Sequence, residues 1–152
     1  MVDVALLGGL RFAAGLPPQT LAELAAMASV QTFAPQSVIF REGDMCPDIF
    51  LIESGHVALD MHVPGRGPVR ILTVGAGEFL GWSALLNDGP MTCIATALDT
   101  IRLVAIPGAK LGALCEANHE IGFRVMQQMA RALAQRLVAT RLQLLDLFLV
   151  GR

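Results

Sequence analysis

Gly81, Ser83 and Thr92 are the residues of this chain whose types and spacing suit holding an anion. They lie in the stretch Gly77–Ala97, GEFLGWSALLNDGPMTCIATA, where a glycine turn feeds a short helix predicted over 81–86. The first backbone N–H groups of such a helix have no partner inside it and point outward as donors. After a loop over Asn87–Pro90, a β-type run over Thr92–Ala97 returns beside the helix and brings a hydroxyl with it. Other constellations carry less. His56 and His62 share one strand face, but a cupin-type metal site needs two histidines and a carboxylate converging with open positions, and that spacing is absent. Cys115 and His119 stand four apart on a helix, which supplies two metal or haem ligands without a third. Neither a nucleophile–histidine–acid arrangement nor a Walker or dinucleotide glycine pattern occurs. The expectation is a non-catalytic chain with no metal, and a cupin-like metal-dependent enzyme is the weakest alternative.

Within that stretch, Leu80-Gly81-Trp82-Ser83-Ala84-Leu85 and, after the loop, Met91-Thr92-Cys93 resemble the phosphate-binding cassette of cyclic nucleotide-binding domains. The family pattern is Phe-Gly-Glu-Leu-Ala-Leu, a variable loop, then Arg-Ser/Thr-Ala. A second match is Glu42-Gly43-Asp44 followed by Ile49-Phe50-Leu51-Ile52, Gly55 and Val57, so the likeness covers about residues 20–148. It implies a mainly β fold with flanking helices: a double-stranded β-helix, or jelly roll, plus a long C-terminal dimerisation helix of the Crp/Fnr type. It also implies a ligand site at Gly81, Trp82, Ser83, Ala84, Met91 and Thr92. The family's ribose-binding glutamate falls on Trp82 and its phosphate-binding arginine on Met91, so the cradle has lost both of its own charges. Arginine pairing is about twice as strong as a neutral hydrogen bond, and the loss weakens cyclic phosphate binding. Arg66 and Arg70 beside the flanking hairpin, or Arg131 and Arg136 from the long helix, are the candidate replacements. Thr140 would meet the ligand base across a dimer, as hydroxyls on this helix do in relatives.

The elements that must position these groups follow from periodicity. Pro17-Pro18 opens a helix over 19–27. From Ser29 to Ile106 short apolar and β-branched runs alternate with turn signals, which predicts strands over 31–33, 37–40, 49–53, 56–63, 69–74, 93–98 and 101–106. In Val57–Val63 the odd positions Val57, Leu59, Met61 and Val63 are apolar while His56, Asp60 and His62 lie opposite, as a half-buried strand requires. A hairpin through Pro64–Pro68 pairs it with Val69–Val74. From Asn118 to Phe148 only Gly122 interrupts a helical pattern, and Phe123, Met126, Ala130, Leu133, Leu137, Thr140, Leu144 and Leu147 fall at alternating spacings of three and four. That is a heptad seam and predicts a homodimer. A second stripe, Val125, Met129, Val138, Leu142, Leu145 and Leu149, lies on another face. The expected division is an N-terminal helical segment (1–28), the β-roll (29–106) with the cassette at 77–97, and C-terminal helices (107–152).

Composition bounds the partners. At 152 residues, 54% hydrophobic and 16% charged, the chain has ample material for one core. A net charge of −2 gives no basic face, so DNA binding by this chain alone is not expected. The apolar run in MVDVALLGGLRFAAG is far shorter than the ~20 residues that span a bilayer. Asp3 stands where a secretory signal needs positive charge, so no membrane role is expected. Cys46, Cys93 and Cys115 are an odd set without short spacing, which suits a reducing cytoplasm. The helix-turn-helix that follows the long helix in transcription regulators would need residues after Arg152. The expectation is therefore a stand-alone sensor domain, with no cofactor beyond a cyclic nucleotide or related ligand, and with a partner protein reading its dimer helix. The alternative is a degenerate scaffold that only dimerises or binds other proteins.

Overall fold

The computed structural model describes residues 2–10, 13–86 and 89–150, with only the backbone at 147 and 150. Asn87 and Asp88 of the expected cassette loop lie outside the described residues, as does the Leu147 side chain. Eight strands form two antiparallel four-stranded sheets. The first has the order β1 (Ser29–Phe33), β8 (Ile101–Pro107), β3 (Asp48–Ser54), β6 (Phe79–Leu80). The second has β2 (Val38–Phe40), β7 (Ile94–Ala97), β4 (Val57–Val63), β5 (Gly67–Val74). This is the expected mainly β jelly roll. Helices α1 (Val4–Gly8) and α2 (Pro18–Met27) precede the strands, α3 (Trp82–Leu86) interrupts them, and α4 (Gly108–Ala117) and α5 (His119–Val150) follow.

Strands β3 and β8 explain why this sheet reads as unbroken apolar runs: each is covered on both faces. Ile49, Leu51, Val104 and Ile106 pack under the helices with Leu24, Leu111, Val125 and Met129. Phe50, Ile52, Leu103 and Ala105, one residue out of phase, fill the space between the sheets with Val57, Leu59, Val74 and Ala97. Two cores therefore share one sheet. The cassette sits where they meet, since β6 leads directly into α3.

The hairpin of β4 and β5 forms as expected, with Asp60 opposite Arg70 and Val63 opposite Gly67. Strict alternation does not hold along β4. Ala58 is buried beside Val57 and Leu59, while Met61 is 42% exposed. The register shifts between Leu59 and Asp60, and beyond that bulge the hairpin tip projects past the core. Strand β6, two residues long, was not anticipated, because a run that short carries no periodicity.

Candidate functional site

Gly81 makes the cradle. Its φ is +81°, and a Cβ there would stand 2.9 Å from the backbone oxygen of Asp48, so both conformation and space demand glycine. The chain then turns into α3, with the Ala84 N–H donating to the Gly81 carbonyl. At five residues α3 is too short to gather a useful helix dipole. An anion here would need side chains as well as amides.

Those side chains line a cavity of about 40 Å³: Ser83 and Thr92 supply hydroxyls, Met91 and Cys93 sulfur, Phe40, Leu59 and Leu80 hydrocarbon, and Arg136 a cation. Ser83 is buried at 4% exposure and Met91 at 5%. Met91 is held by its backbone: its N–H donates to the Asp44 carbonyl and its carbonyl accepts from the Gly43 N–H, at 2.8 and 2.9 Å. The Gly-Asp turn singled out in the sequence thus clamps the position where the family carries arginine. Trp82 contributes to the cavity wall but also packs on the helix-side core with Phe79 and Leu85. Ala84 lies outside the cavity lining, against Gly108.

Of the four arginines expected as candidate replacements, Arg136 borders the cradle cavity. Its side chain is part-buried, Nη2 donates to the Phe79 carbonyl, and the guanidinium lies 4.6 Å from the Phe79 ring centroid. Its Nε is buried without a hydrogen-bond partner, and among the described residues no carboxylate comes within ion-pair distance. Burial pulls the guanidinium below its usual pKa, opposed by Glu78 and Cys93 nearby. Conversely, burial pushes the Cys93 thiol up to about 11, with Arg136 as the opposing influence. Among the described residues no carboxylate lines the cradle cavity. Arg136 also borders a second cavity of about 220 Å³, with Gly77–Phe79, Gln128, Arg131, Ala132 and Gln135.

The remaining candidates fall elsewhere. Arg70 pairs with Asp60 at 3.2 Å on the outer hairpin, with its carbonyl accepting from Gln143 of α5. Arg66 is exposed on the turn. Thr140 is half-buried on α5 and borders neither cavity. Thr140 lies a full turn beyond Arg136 along α5. His56, just before β4, bonds Asp99, its Nδ1 and backbone N–H donating at 2.8 and 2.7 Å. His62 is exposed, and Cys115 and His119 gather no third ligand; among the described residues no group of three metal-ligating side chains converges. No helix is long and apolar enough to cross a membrane among them either.

The seam on α5 divides between cover and exposure. Ile121, Val125 and Met129, four apart, pack into the helix-side core, with Ala132 and Leu133 at its margin. Beyond Leu133 no described residue is buried. Phe123 (66%), Leu137 (55%) and Leu144 (52%) of the seam stand exposed, as do Met126 and Ala130, and so do Val138, Leu142, Leu145 and Leu149 of the second stripe.

Comparison with known proteins places this architecture. The acetyltransferase Pat of Mycolicibacterium smegmatis is 34% identical over 100 residues, 66% of this chain and 30% of that protein. A CRP-like cAMP-activated global transcriptional regulator of Mycobacterium tuberculosis is 28% identical over 134 residues, 88% of this chain and 58% of the relative. The chain thus spans less than two thirds of the length of these relatives. The crystal structure of a Geobacter metallireducens GS-15 protein named for cyclic nucleotide binding superposes with a TM-score of 0.79 at 29% identity, over 90% of this chain and 99% of that one. The family model for the cyclic nucleotide-binding domain matches residues 30–118, which takes in β1 to β8, the cradle and α4; the chain belongs to the cyclic nucleotide-binding domain family.

Proposed function

We propose that this chain is a regulatory, non-catalytic sensor domain that takes a small anionic or nucleotide-like ligand at the cradle and passes its bound state along α5. The observation that carries the reading is Arg136: a part-buried guanidinium, with no carboxylate in ion-pair distance among the described residues, borders the same cavity as Ser83, Thr92 and the Gly81 turn. A part-buried cation is costly to desolvate, and an anion supplied by a ligand offsets that cost. Arg136 thereby does from the helix what the family's arginine does from position 91. Its different approach, and the missing glutamate, alter or weaken affinity for cyclic nucleotides. Output runs through a homodimer formed by the α5 seam at Phe123, Met126, Ala130, Leu133, Leu137, Thr140, Leu144 and Leu147, read by a partner protein. An apolar strip of this length is a typical association surface. Three free thiols support a reducing, cytoplasmic setting. Isothermal titration with cyclic AMP, cyclic GMP and cyclic dinucleotides tests the reading. Heat with at least one, lost in Ser83→Ala with Thr92→Val, is expected, and no heat with any would remove the sensor function.

One observation favours a second reading, a silent scaffold whose helix seam is its whole function. A cavity of about 40 Å³ holds only a few waters, far below the ~300 Å³ of ordinary ligand sites. Restoring both family charges, Trp82→Glu with Met91→Arg, separates the two. Cyclic AMP binding by the restored protein alone identifies a repurposed or silenced pocket, and failure of both proteins identifies a collapsed one.

A further inference from the structure

The distal part of the second apolar stripe on α5 has no role in the dimer seam. Beyond Met129 the helix lies on the roll by one face: Ala132 and Leu133 reach the core margin, while Arg136 and Gln143 donate to the carbonyls of Phe79 and Arg70. Val138, Leu142, Leu145 and Leu149 turn away from that face, and all four are more than half exposed. They stand about 150° around the helix from the seam, so a copy seated on the seam leaves them in water. A helix that is apolar on both sides is stable when both are covered. Followed upstream at the same three–four spacing, the stripe meets Gln135, Arg131 and Gln128, which confines its apolar part to residues 138–149.

The charges beside the stripe indicate what covers it. As a heptad pattern its core positions are Val138, Leu142, Leu145 and Leu149, with Arg141 on one flank and Asp146 on the other, five residues apart. In a parallel pair of identical helices that spacing sets Arg141 of each copy beside Asp146 of the other, and the two-fold symmetry makes the ion pair twice. An antiparallel pair sets each flank against its own kind and makes neither. Both side chains are exposed, and among the described residues neither meets an opposite charge. The seam has no such match, since the same count there sets Arg136 beside Arg141, and Thr140 interrupts its distal core. We propose that the stripe is a second self-association face, on which another copy of this chain docks in parallel over residues 138–149. The contact runs ~18 Å, about half the length of the seam, so it fills at higher concentrations than the dimer does. Because the two faces lie on nearly opposite sides of one helix, seam dimers joined by the stripe keep a free face at each end, and assembly grows with concentration instead of closing at a tetramer. That growth rests on the seam dimer, whereas the stripe contact rests on neither the seam nor the ligand.

The test is sedimentation velocity of the Leu137→Glu, Leu144→Glu variant, in which the seam is disabled and the stripe acts alone. A monomer at micromolar concentration and a dimer at submillimolar concentration are expected in low salt. Adding Arg141→Asp, or instead Asp146→Arg, should raise the concentration of half-association about tenfold, because like charges then meet in both pairs. Exchanging the two, Arg141→Asp with Asp146→Arg, should restore it. An equimolar mixture of the two single-charge variants should form mixed dimers more readily than either forms its own. Leu142→Glu with Leu145→Glu should abolish association while the circular dichroism spectrum is kept, since the changed positions are exposed. In the natural chain the average mass should pass that of a dimer over the same range. A seam variant that stays a monomer at every concentration would overturn the proposal and leave the stripe to a different protein or domain. Association that ignores the charge changes, or that the exchange does not restore, would overturn it as well. Failure of the seam is told apart by a natural chain no larger than the seam variant, which keeps the stripe contact; loss of the seam variant's dimer removes the stripe contact and keeps the seam.

Discussion

At position 91 a thioether occupies the place where the family carries a guanidinium, and the surroundings now depend on it. Met91 is 5% exposed, its backbone is clamped by Gly43 and Asp44, and its terminal carbon would lie 3.4 Å from a Cβ on Gly81. Placing arginine there adds a second cation beside Arg136 in a space of about 40 Å³. Met91→Arg alone is therefore expected to lower stability by about 1–3 kcal/mol in the absence of anions. Millimolar cyclic AMP or phosphate should recover much of it in thermal melts; a variant as stable as the natural protein in anion-free buffer would contradict this. A second residue-scale effect concerns acid. The hydrogen bond from the His56 side chain, and then that from its backbone N–H, hold the exposed Asp99 carboxyl below the usual carboxylate range. A lowered folded-state pKa contributes stability that is present above the unfolded value, about 3.9, and is lost as pH falls through the folded value. Thermal midpoints of the natural protein and Asp99→Asn should differ by a constant amount near neutral pH and converge below about pH 4. A gap independent of pH would assign the contact no ionic role.

At the scale of elements, α3 and α4 meet backbone to backbone. A Cβ on Gly108 would stand 2.2 Å from the Ala84 carbonyl oxygen, so the first turn of α4 rests directly on the helix that follows the cradle. Backbone atoms cannot swing aside as a flexible side chain would, and the two helices must separate to admit even a methyl group. Gly108→Ala is expected to cost about 1–3 kcal/mol and to loosen α3. Hydrogen exchange should quicken at residues 82–86 before it does in β3 or β8. Equal quickening in those strands would mean that the contact supports the whole roll rather than the cradle. The same close fit explains why Ala84, a residue of the matched motif, faces away from the cavity: its smallness serves helix packing.

For the molecule as a whole, α5 is the unbalanced element. Its 32 residues run ~48 Å, and only the turns up to Met129 are anchored in the core. Leu137 and Leu144 are more than half exposed, so replacing both with glutamate should leave the roll's stability within about 0.5 kcal/mol. Sedimentation should show a dimer for the natural chain and a monomer for the Leu137→Glu, Leu144→Glu variant. A natural chain that sediments as a monomer at micromolar concentrations would remove the dimer from the proposed function.

The jelly roll, the hairpin of β4 and β5, the Gly81 turn and the long helix were all legible from local signals: apolar runs cut by turn residues, a glycine before small residues, and a three–four repeat. These depend on neighbours in the chain, which is why reading along it suffices. The missing charges at Trp82 and Met91 were equally plain. What replaced them was not, since Arg136 lies 53 residues after Ser83 and shares a helix with Arg131, from which spacing alone cannot tell it. Only the tertiary structure decided that α5 crosses the edge strand β6 at a height where Arg136 meets the Phe79 carbonyl while Thr140 passes beyond and Arg70 stays with Asp60. A side chain's reach is set by where rigid elements cross, and that crossing is fixed by the packing of Ile121, Val125 and Met129 into a core assembled from distant parts of the chain.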